Sequence, residues 1–99
     1  MIYTRMGSYK LTLDAKADLQ RIYHYGFFNW GEKQADKYFN AFFDCFDEIA
    51  ENPDLYQPVD HIRKGYRRCI CGVDNIYYRV VENEVEIANI LGSQDLDNL

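Results

Sequence analysis

The chain has 99 residues, of which 47% are hydrophobic, 16% are aromatic and only two are prolines, and this is the size of one globular domain. We therefore expect a single domain over residues 1–99. No apolar run approaches the roughly 18–20 residues that cross a bilayer, and residues 1–5 lack the apolar core of a secretion signal, so we expect a cytoplasmic protein without a membrane partner. Eleven Lys and Arg against 16 Asp and Glu give a net charge of -5, which argues against a protein that coats nucleic acid with its whole surface.

The three cysteines, Cys45, Cys69 and Cys71, are too few and odd in number for a secreted disulfide framework. Cys69 and Cys71 lack the spacing of a zinc-ligand pair, and neither His24 nor His61 follows at a ligand spacing. We expect reduced thiols packed as small hydrophobic groups and no metal site.

The first half of the chain predicts a strand over residues 8–13 and a helical hairpin. Thr12 and Asp14 favour the start of a helix over 13–29, and Gly31 favours its end. A second helix follows and ends at Asn52, since the residue before a proline is disfavoured in helical geometry. The apolar stripe of the first helix contains Ala15, Leu19, Ile22, Tyr23 and Trp30. That of the second contains Ala35, Tyr38, Phe39, Phe42, Phe46, Ile49 and Ala50.

The second half predicts three strands after a polar loop over residues 54–60. The strands are 62–71, with an irregularity at Gly65, then 76–81 and 85–91. Residues 72–75 and 82–83 form the turns between them, and Val85, Ile87, Asn89 and Leu91 alternate on one side of the last strand. The predicted fold is α+β in the order β-α-α-β-β-β, with the helical hairpin packed on one face of a small, mainly antiparallel sheet and the other face at least partly open.

Three aromatic residues, Tyr25, Phe28 and Phe43, lie off the predicted inward stripes. Together they favour an additional apolar surface on the hairpin that a partner covers. The alternative is a small protein that spreads its core broadly and exposes single aromatic residues by chance.

The charge is strongly partitioned along the chain. Residues 61–79 hold five basic residues and one acid, for a local charge of +4, whereas the remainder holds six basic and 15 acidic residues, for -9. Strand alternation places Tyr66, Arg68 and Ile70 on one side and Arg67, Cys69 and Cys71 on the other; Tyr77 and Arg79 also share a side.

Four of the five cations are arginines, whose planar guanidinium suits bidentate binding of a carboxylate or phosphate. This pattern favours a basic surface that recognises an acidic partner. The alternative is that one or two of these arginines form cross-strand ion pairs with Glu82, Glu84 and Glu86.

Familiar cofactor and hydrolase motifs are missing from the sequence, so we expect no cofactor. Acid–base chemistry on RNA would need several polar groups on one open face, for which Tyr66, Arg67, Arg68, Tyr78 and Arg79 are available. His24 and His61 are interpreted as ordinary surface residues.

The sequence resembles the RelE/ParE toxins of bacterial toxin–antitoxin modules, and within them the ParE branch of plasmid stabilisation proteins. The resemblance covers about residues 9–91 and depends on the order and spacing of short motifs, since none is specific alone. They are Leu11-Thr12 with Ala15, Asp18-Leu19 and Ile22; Trp30-Gly31 with Gln34-Ala35 and Tyr38; Ala50-Glu51-Asn52-Pro53; Ile62-Arg63-Lys64-Gly65-Tyr66-Arg67-Arg68; and Tyr77-Tyr78-Arg79.

This resemblance implies a toxin that binds DNA gyrase, through its A subunit, without being an enzyme, and that a ParD-like antitoxin neutralises in a hetero-oligomer. It touches DNA only through gyrase. The implied target-binding residues are Arg63, Lys64, Tyr66, Arg67, Arg68 and Arg79. The antitoxin-binding residues are Tyr25, Phe28 and Phe43.

Two alternatives follow from the same resemblance. RelE-type relatives cleave mRNA in the ribosome, but Asn89 and Gly92 stand here where the family often has Arg and His, and the tail over 93–99 is acidic. Loss of those groups disfavours RNA cleavage. A degenerate toxin that retains only antitoxin binding is the other alternative.

Overall fold

The computed structural model describes residues 8–92, which form two helices and a five-stranded sheet. The elements are β1 (Tyr9–Leu11), α1 (Leu13–Trp30), α2 (Glu32–Glu51), β2 (Gln57–Pro58), β3 (Arg67–Cys71), β4 (Asp74–Val81) and β5 (Glu84–Gly92). The strand order is β1-β5-β4-β3-β2; β1 runs parallel to β5 and the other pairs are antiparallel. The predicted fold class is confirmed. Neither described helix is long and apolar enough to cross a membrane.

The helical hairpin begins and turns where the sequence predicts. The hydroxyl oxygen of Thr12 accepts the Ala15 N–H at 3.0 Å, which caps α1, and its own hydrogen is donated to the Ala88 carbonyl on β5 at 2.9 Å. Gly31, at φ +93°, separates the two helices and donates its N–H to the Phe27 carbonyl. The cap therefore starts the helix and also ties it to the sheet.

The stripes of both helices pack against one face of the sheet, called the inner face here. Its buried core joins helix and strand residues: Ala15, Leu19, Ile22, Phe42, Phe46, Ile49, Cys69, Cys71, Ile76, Tyr78, Val85, Ile87 and Ile90. Trp30 was predicted to belong to this stripe, and that is wrong: its side chain is 64% exposed. As the last residue of α1 it lies at the hairpin turn, where its ring contacts Tyr25 instead.

The strand predicted over 62–71 is correct only from Arg67 onward. Residues 59–66 fold as a tight loop, in which the Ile62 and Arg63 N–H groups donate to the Val59 carbonyl. Gly65, at φ +85°, donates its N–H to Asp60 Oδ1 at 2.8 Å, and this turn interrupts strand geometry.

Two boundaries of the predicted loops are also corrected. The loop predicted over 54–60 contains β2, which pairs Gln57 with Arg68 and Pro58 with Arg67 at the edge of the sheet. A two-residue edge strand with a proline carries too little periodicity to be seen in the sequence. The turn predicted over 72–75 is shorter, because β4 already begins at Asp74.

The predicted alternation along the last strand fails after Ile87, because the register shifts there. Tyr78 pairs with Ile87 but Tyr77 pairs with Asn89, so Ala88 is an extra residue, a β-bulge. Ala88 and Leu91 consequently pack on the face opposite the helices, and Ile90 packs on the inner face.

The second face, called the outer face here, carries a smaller apolar cluster. Val59, Tyr66, Tyr77, Ala88 and Leu91 are buried in it, and Ile62 packs against them. The loop over 59–66 therefore covers part of a sheet face that the sequence predicted to be partly open.

We predict that Gly72→Ala destabilises the protein more than Gly65→Ala. Both glycines have positive φ, which costs other residues about 1–2 kcal/mol. Only at Gly72 would a Cβ meet another group, the Tyr38 ring at 2.5 Å, whereas nothing lies within 4 Å at Gly65. Urea unfolding of both variants measures the difference, and equal losses of unfolding free energy would contradict the contact.

Candidate functional site

The outer face holds a group of cations around one tyrosine ring. The guanidinium carbon of Arg63 lies 5.1 Å from the centroid of the Tyr66 ring, and that of Arg79 lies 5.5 Å from it. Both distances are within the range of cation–π attraction. Tyr66 itself is nearly buried, so its ring fixes two positive charges at the surface.

The charges of this group differ in how far they are neutralised. Arg79 Nε donates to Glu86 Oε1 at 2.8 Å, and this hydrogen bond raises the pKa of Arg79. Glu86 lies opposite Arg79 on β5, so one predicted cross-strand ion pair is confirmed. Arg63 and Lys64 are exposed and form no ion pair within residues 8–92. They are the cations most available to a partner.

Arg67 lies apart from the other candidate cations. As strand alternation predicted, it shares the side of Cys69 and Cys71, and its guanidinium donates to the Tyr56 carbonyl at 2.8 Å and to the Asp54 carbonyl at 3.3 Å. The same group lies 3.9 Å from an Asp54 carboxylate oxygen. These contacts hold the segment before β2 against the sheet. The Arg67 guanidinium therefore stabilises the fold and is less available to a partner than Arg63 or Lys64.

Arg68 is half-buried on the outer face. Its Nη2 donates to the side-chain oxygen of Gln57 on β2 at 2.8 Å. Asn89 is also half-buried, opposite Tyr77 on β5. Asn89 stands where RelE/ParE toxins often have arginine, so this position of the outer face carries a neutral amide instead of a cation.

The five polar groups that the sequence offered for acid–base chemistry are divided between the two faces of the sheet: Tyr66, Arg68 and Arg79 share the outer face, whereas Arg67 and Tyr78 lie on the other side. The Tyr78 hydroxyl donates to the Pro53 carbonyl at 2.6 Å on the inner face, and burial raises its pKa. Tyr66 and Arg79 lie on the outer face, and His24 and His61 are exposed on α1 and in the loop before β3.

A second candidate surface lies at the turn of the helical hairpin. Phe28 is 81% exposed and Tyr25 is 62% exposed, as expected for a surface that a partner covers. Sequence reasoning missed two neighbours: Trp30 contacts Tyr25 at 5.5 Å between ring centroids, and Phe27 contacts Phe28 at 5.4 Å. We call Tyr25, Phe27, Phe28 and Trp30 the aromatic tip. A run of aromatic residues just before Gly31 is the signal that could have identified it.

Phe43 does not belong to this tip. It is half-buried, and its ring contacts Phe39 at 5.1 Å and Phe46 at 5.3 Å between centroids. It extends the inner core toward the surface of α2.

An open groove of about 710 Å³ leads from the aromatic tip to the turn between β3 and β4. At its sheet end, the Tyr38 hydroxyl lies 3.0 Å from Asp74 Oδ2 and accepts the Val73 N–H at 3.2 Å. Burial, followed by the Asp74 charge, raises the pKa of Tyr38 to about 12. Tyr38 therefore stays protonated and joins the helical hairpin to the sheet. The groove is lined by Arg21, Ile22, Tyr23, Tyr25, Gly26, Trp30, Gln34, Ala35, Tyr38, Phe39, Val73 and Asp74.

The cysteines are free, and Cys69 and Cys71 are buried in the inner core, as predicted for structural thiols. Burial raises the pKa of Cys69 to about 12 and also raises that of Cys71, so both are poor nucleophiles. Within residues 8–92, no group of three or more His, Cys, Asp or Glu side chains is arranged to hold a metal ion.

Comparison with known proteins gives one consistent family. The model of the family described as ParE toxin of type II toxin-antitoxin system, parDE, matches residues 9–96. Toxin ParE1 of Caulobacter vibrioides is 41% identical over 86 residues, covering 87% of this chain and 88% of that protein. Toxin ParE1 of Mycobacterium tuberculosis is 32% identical over 84 residues, covering 84% of this chain and 86% of the relative. A solved structure described as the chromosomal ParDE TA system from P. aeruginosa has the same fold, with a TM-score of 0.78 at 24% identity, over 90% of this chain and 98% of its own.

We predict that Arg67→Met lowers the free energy of unfolding by about 1.5–3 kcal/mol, because it removes charged hydrogen bonds to two backbone carbonyls. Lys64→Met removes the same charge from an exposed side chain and should change stability by less than about 0.5 kcal/mol. Chemical denaturation of both variants tests the assignment. A comparable loss in both would mean that Arg67 is as free as Lys64.

Proposed function

This chain belongs to the family of ParE toxins of type II toxin–antitoxin systems, and from that premise we propose that it is a non-catalytic inhibitor of DNA gyrase. The observation that carries the proposal is the pair of arginines, Arg63 and Arg79, held over the Tyr66 ring. Arg63 and its exposed neighbour Lys64 form no ion pair with an acidic residue of the described chain. A toxin that acts by binding needs a fixed surface of complementary charge. It does not need the proton donor and proton acceptor that acid–base catalysis places around a substrate.

The proposed target surface comprises five of the six residues that the sequence suggested. Arg63, Tyr66, Arg68 and Arg79 belong to it because they lie on the outer face, and Lys64 is included because it is exposed and follows Arg63 in the same loop. Arg67 is left out, since its donors are occupied on the other side. Arginine and tyrosine are the side chains that most often dominate binding energy at protein interfaces.

The remainder of the chain supports a protein target. Outside residues 61–79 the net charge is -9, which repels the phosphates of free DNA. A local basic surface within an acidic protein therefore favours an acidic patch on another protein over a duplex. Because gyrase acts on the chromosome, the proposed place of action is the bacterial cytoplasm.

The proposed antitoxin surface is the aromatic tip together with the adjoining groove. Tyr25 and Phe28 supply exposed apolar area, and the groove of about 710 Å³ continues from them to the turn between β3 and β4. We expect a peptide segment of the antitoxin to occupy it. Phe43 can add only the edge of its ring, because the rest packs on the core. In this proposal a ParD-like antitoxin covers the tip and holds the toxin inactive in a hetero-oligomer.

We predict that the purified chain traps gyrase with cleaved plasmid, and that Arg63→Glu combined with Lys64→Glu abolishes this. The two substitutions replace positive charges with negative ones, which an acidic patch on the target would repel. The matched control is Lys16→Glu combined with Lys37→Glu, which changes the net charge equally at two exposed lysines on α1 and α2. The readout is linear plasmid released by detergent and protease after incubation with gyrase and ATP.

Two outcomes of that assay would contradict the proposal. Undiminished supercoiling at saturating wild-type protein would exclude gyrase as the target. Equal loss in both double variants would show that the total charge, rather than the surface around Tyr66, determines the activity. Truncated transcripts in translating cells would instead indicate the ribosome-dependent mRNA cleavage of RelE-type relatives.

We predict that Phe28→Ala weakens binding of the ParD-like antitoxin by at least about tenfold, since loss of a buried aromatic contact at an interface commonly costs 1.4 kcal/mol or more. Ile70→Ala is the control, because Ile70 is similarly exposed but lies on β3. Calorimetric titration of each variant with the antitoxin measures the change. Equal weakening by both substitutions would argue against the aromatic tip as the contact.

A further inference from the structure

Two buried side-chain atoms within residues 8–92 have no hydrogen-bond partner: Arg68 Nε and the Tyr77 hydroxyl. Buried polar groups are almost always paired, and each unpaired one reduces stability. The two residues are direct partners in the register between β3 and β4. Unpaired donors at adjacent positions on one face therefore form one local feature rather than two unrelated defects.

These donors lie in a polar row that crosses the outer face. Gln57 on β2 pairs with Arg68 on β3, Arg68 pairs with Tyr77 on β4, and Tyr77 pairs with Asn89 on β5. Paired residues of antiparallel strands point to the same side of the sheet with their Cβ atoms about 4.5–5.5 Å apart. The row is partly satisfied by the single hydrogen bond from Arg68 Nη2 to Gln57.

We propose that Arg68 and Tyr77 form a recessed site for one carboxylate of a partner protein. A carboxylate has two acceptor oxygens and a negative charge, so it can take both unpaired donors and also neutralise a guanidinium that has no ion pair in the described chain. This inference rests on the proposed function in taking the partner to be the toxin's target. It adds Tyr77, which the sequence did not suggest as a contact, and the chemical class of the group bound.

The surroundings of the row favour a carboxylate side chain over a nucleic-acid phosphate. The residues packed about Tyr77 on the outer face are apolar or aromatic: Val59, Tyr66, Ala88 and Leu91. Such walls suit the aliphatic stem of Asp or Glu, whereas a phosphate backbone would bring charged and strongly hydrated neighbours against them. Arg68 Nε and the Tyr77 hydroxyl are both buried, whereas Gln57, which accepts from Arg68 Nη2, is exposed on the edge strand β2. In this proposal the carboxylate therefore enters from the β2 edge and displaces the Gln57 side chain.

The first test uses the full chain and needs no partner. Isotope-labelled protein is titrated with acetate, with inorganic phosphate, and with chloride at matched ionic strength, while the Arg68 Nε–H resonance is followed by nuclear magnetic resonance. We expect a saturable shift with acetate that Tyr77→Phe weakens severalfold. Absence of a saturable shift, the same shift with chloride, an unchanged response in Tyr77→Phe, or tighter binding of phosphate than acetate would overturn the proposal.

The second test compares two adjacent tyrosines in the gyrase assay. Tyr77→Phe removes a buried hydroxyl without a partner, so the melting temperature should stay the same or rise while gyrase binding weakens by about tenfold. Tyr78→Phe removes a hydroxyl bonded to the Pro53 carbonyl, so the melting temperature should fall while gyrase binding stays unchanged. Arg68→Lys keeps the charge but lacks the Nε donor, and it should weaken binding as Tyr77→Phe does.

The two tests separate the inference from the function on which it rests. If wild-type protein does not bind gyrase, the proposed function fails, and the acetate titration still decides whether Arg68 and Tyr77 bind a carboxylate. If wild-type protein binds gyrase and Tyr77→Phe binds equally well, the recessed site is wrong and the proposed function stands.

Discussion

The burial of two consecutive tyrosines on β4 constrains the rest of this fold. Tyr77 and Tyr78 are both fully buried, and because successive residues of a strand point to opposite faces, the sheet must be covered on both sides. The helical hairpin covers Tyr78 on the inner face, and the loop over 59–66 contributes to the cluster around Tyr77 on the outer face. Within residues 8–92 both helices pack on the inner face, so the outer face is covered by loop residues Val59, Ile62 and Tyr66.

This division also separates the two surfaces proposed to bind the target and the antitoxin. The aromatic tip belongs to the hairpin, whereas the cations around Tyr66 depend on the outer cluster that positions the loop. The apolar surface and the cationic surface are therefore separate. The first suits a partner with apolar side chains and the second suits a partner with acidic ones. The acidic residues elsewhere in the chain disfavour general binding to nucleic acid, so a net charge of -5 is compatible with a local basic surface.

The candidate cations show how far residue types and spacing predict a site. Alternation correctly separated Arg67 from Arg68, because that rule needs only the period of a strand. It did not reveal that Arg67 is held by the Tyr56 and Asp54 carbonyls, since those acceptors come from a loop and a two-residue strand without a periodic signal. Nor did it reveal the unpaired Arg68 Nε and Tyr77 hydroxyl, because hydrogen-bond satisfaction depends on the neighbours from several strands.

The sequence by itself determined the α+β class, the helical hairpin with its break at Gly31, the apolar stripe of α2 and the concentration of positive charge over 61–79, because each follows from local periodicity, capping or composition. Only the tertiary structure decided the bulge at Ala88, the loop that replaces the start of the strand predicted over 62–71, and the exposure of Trp30. The physical reason is that these features depend on register and on contacts between residues distant in sequence. A one-residue shift on β5 changes which face every later side chain occupies, and no local pattern records it.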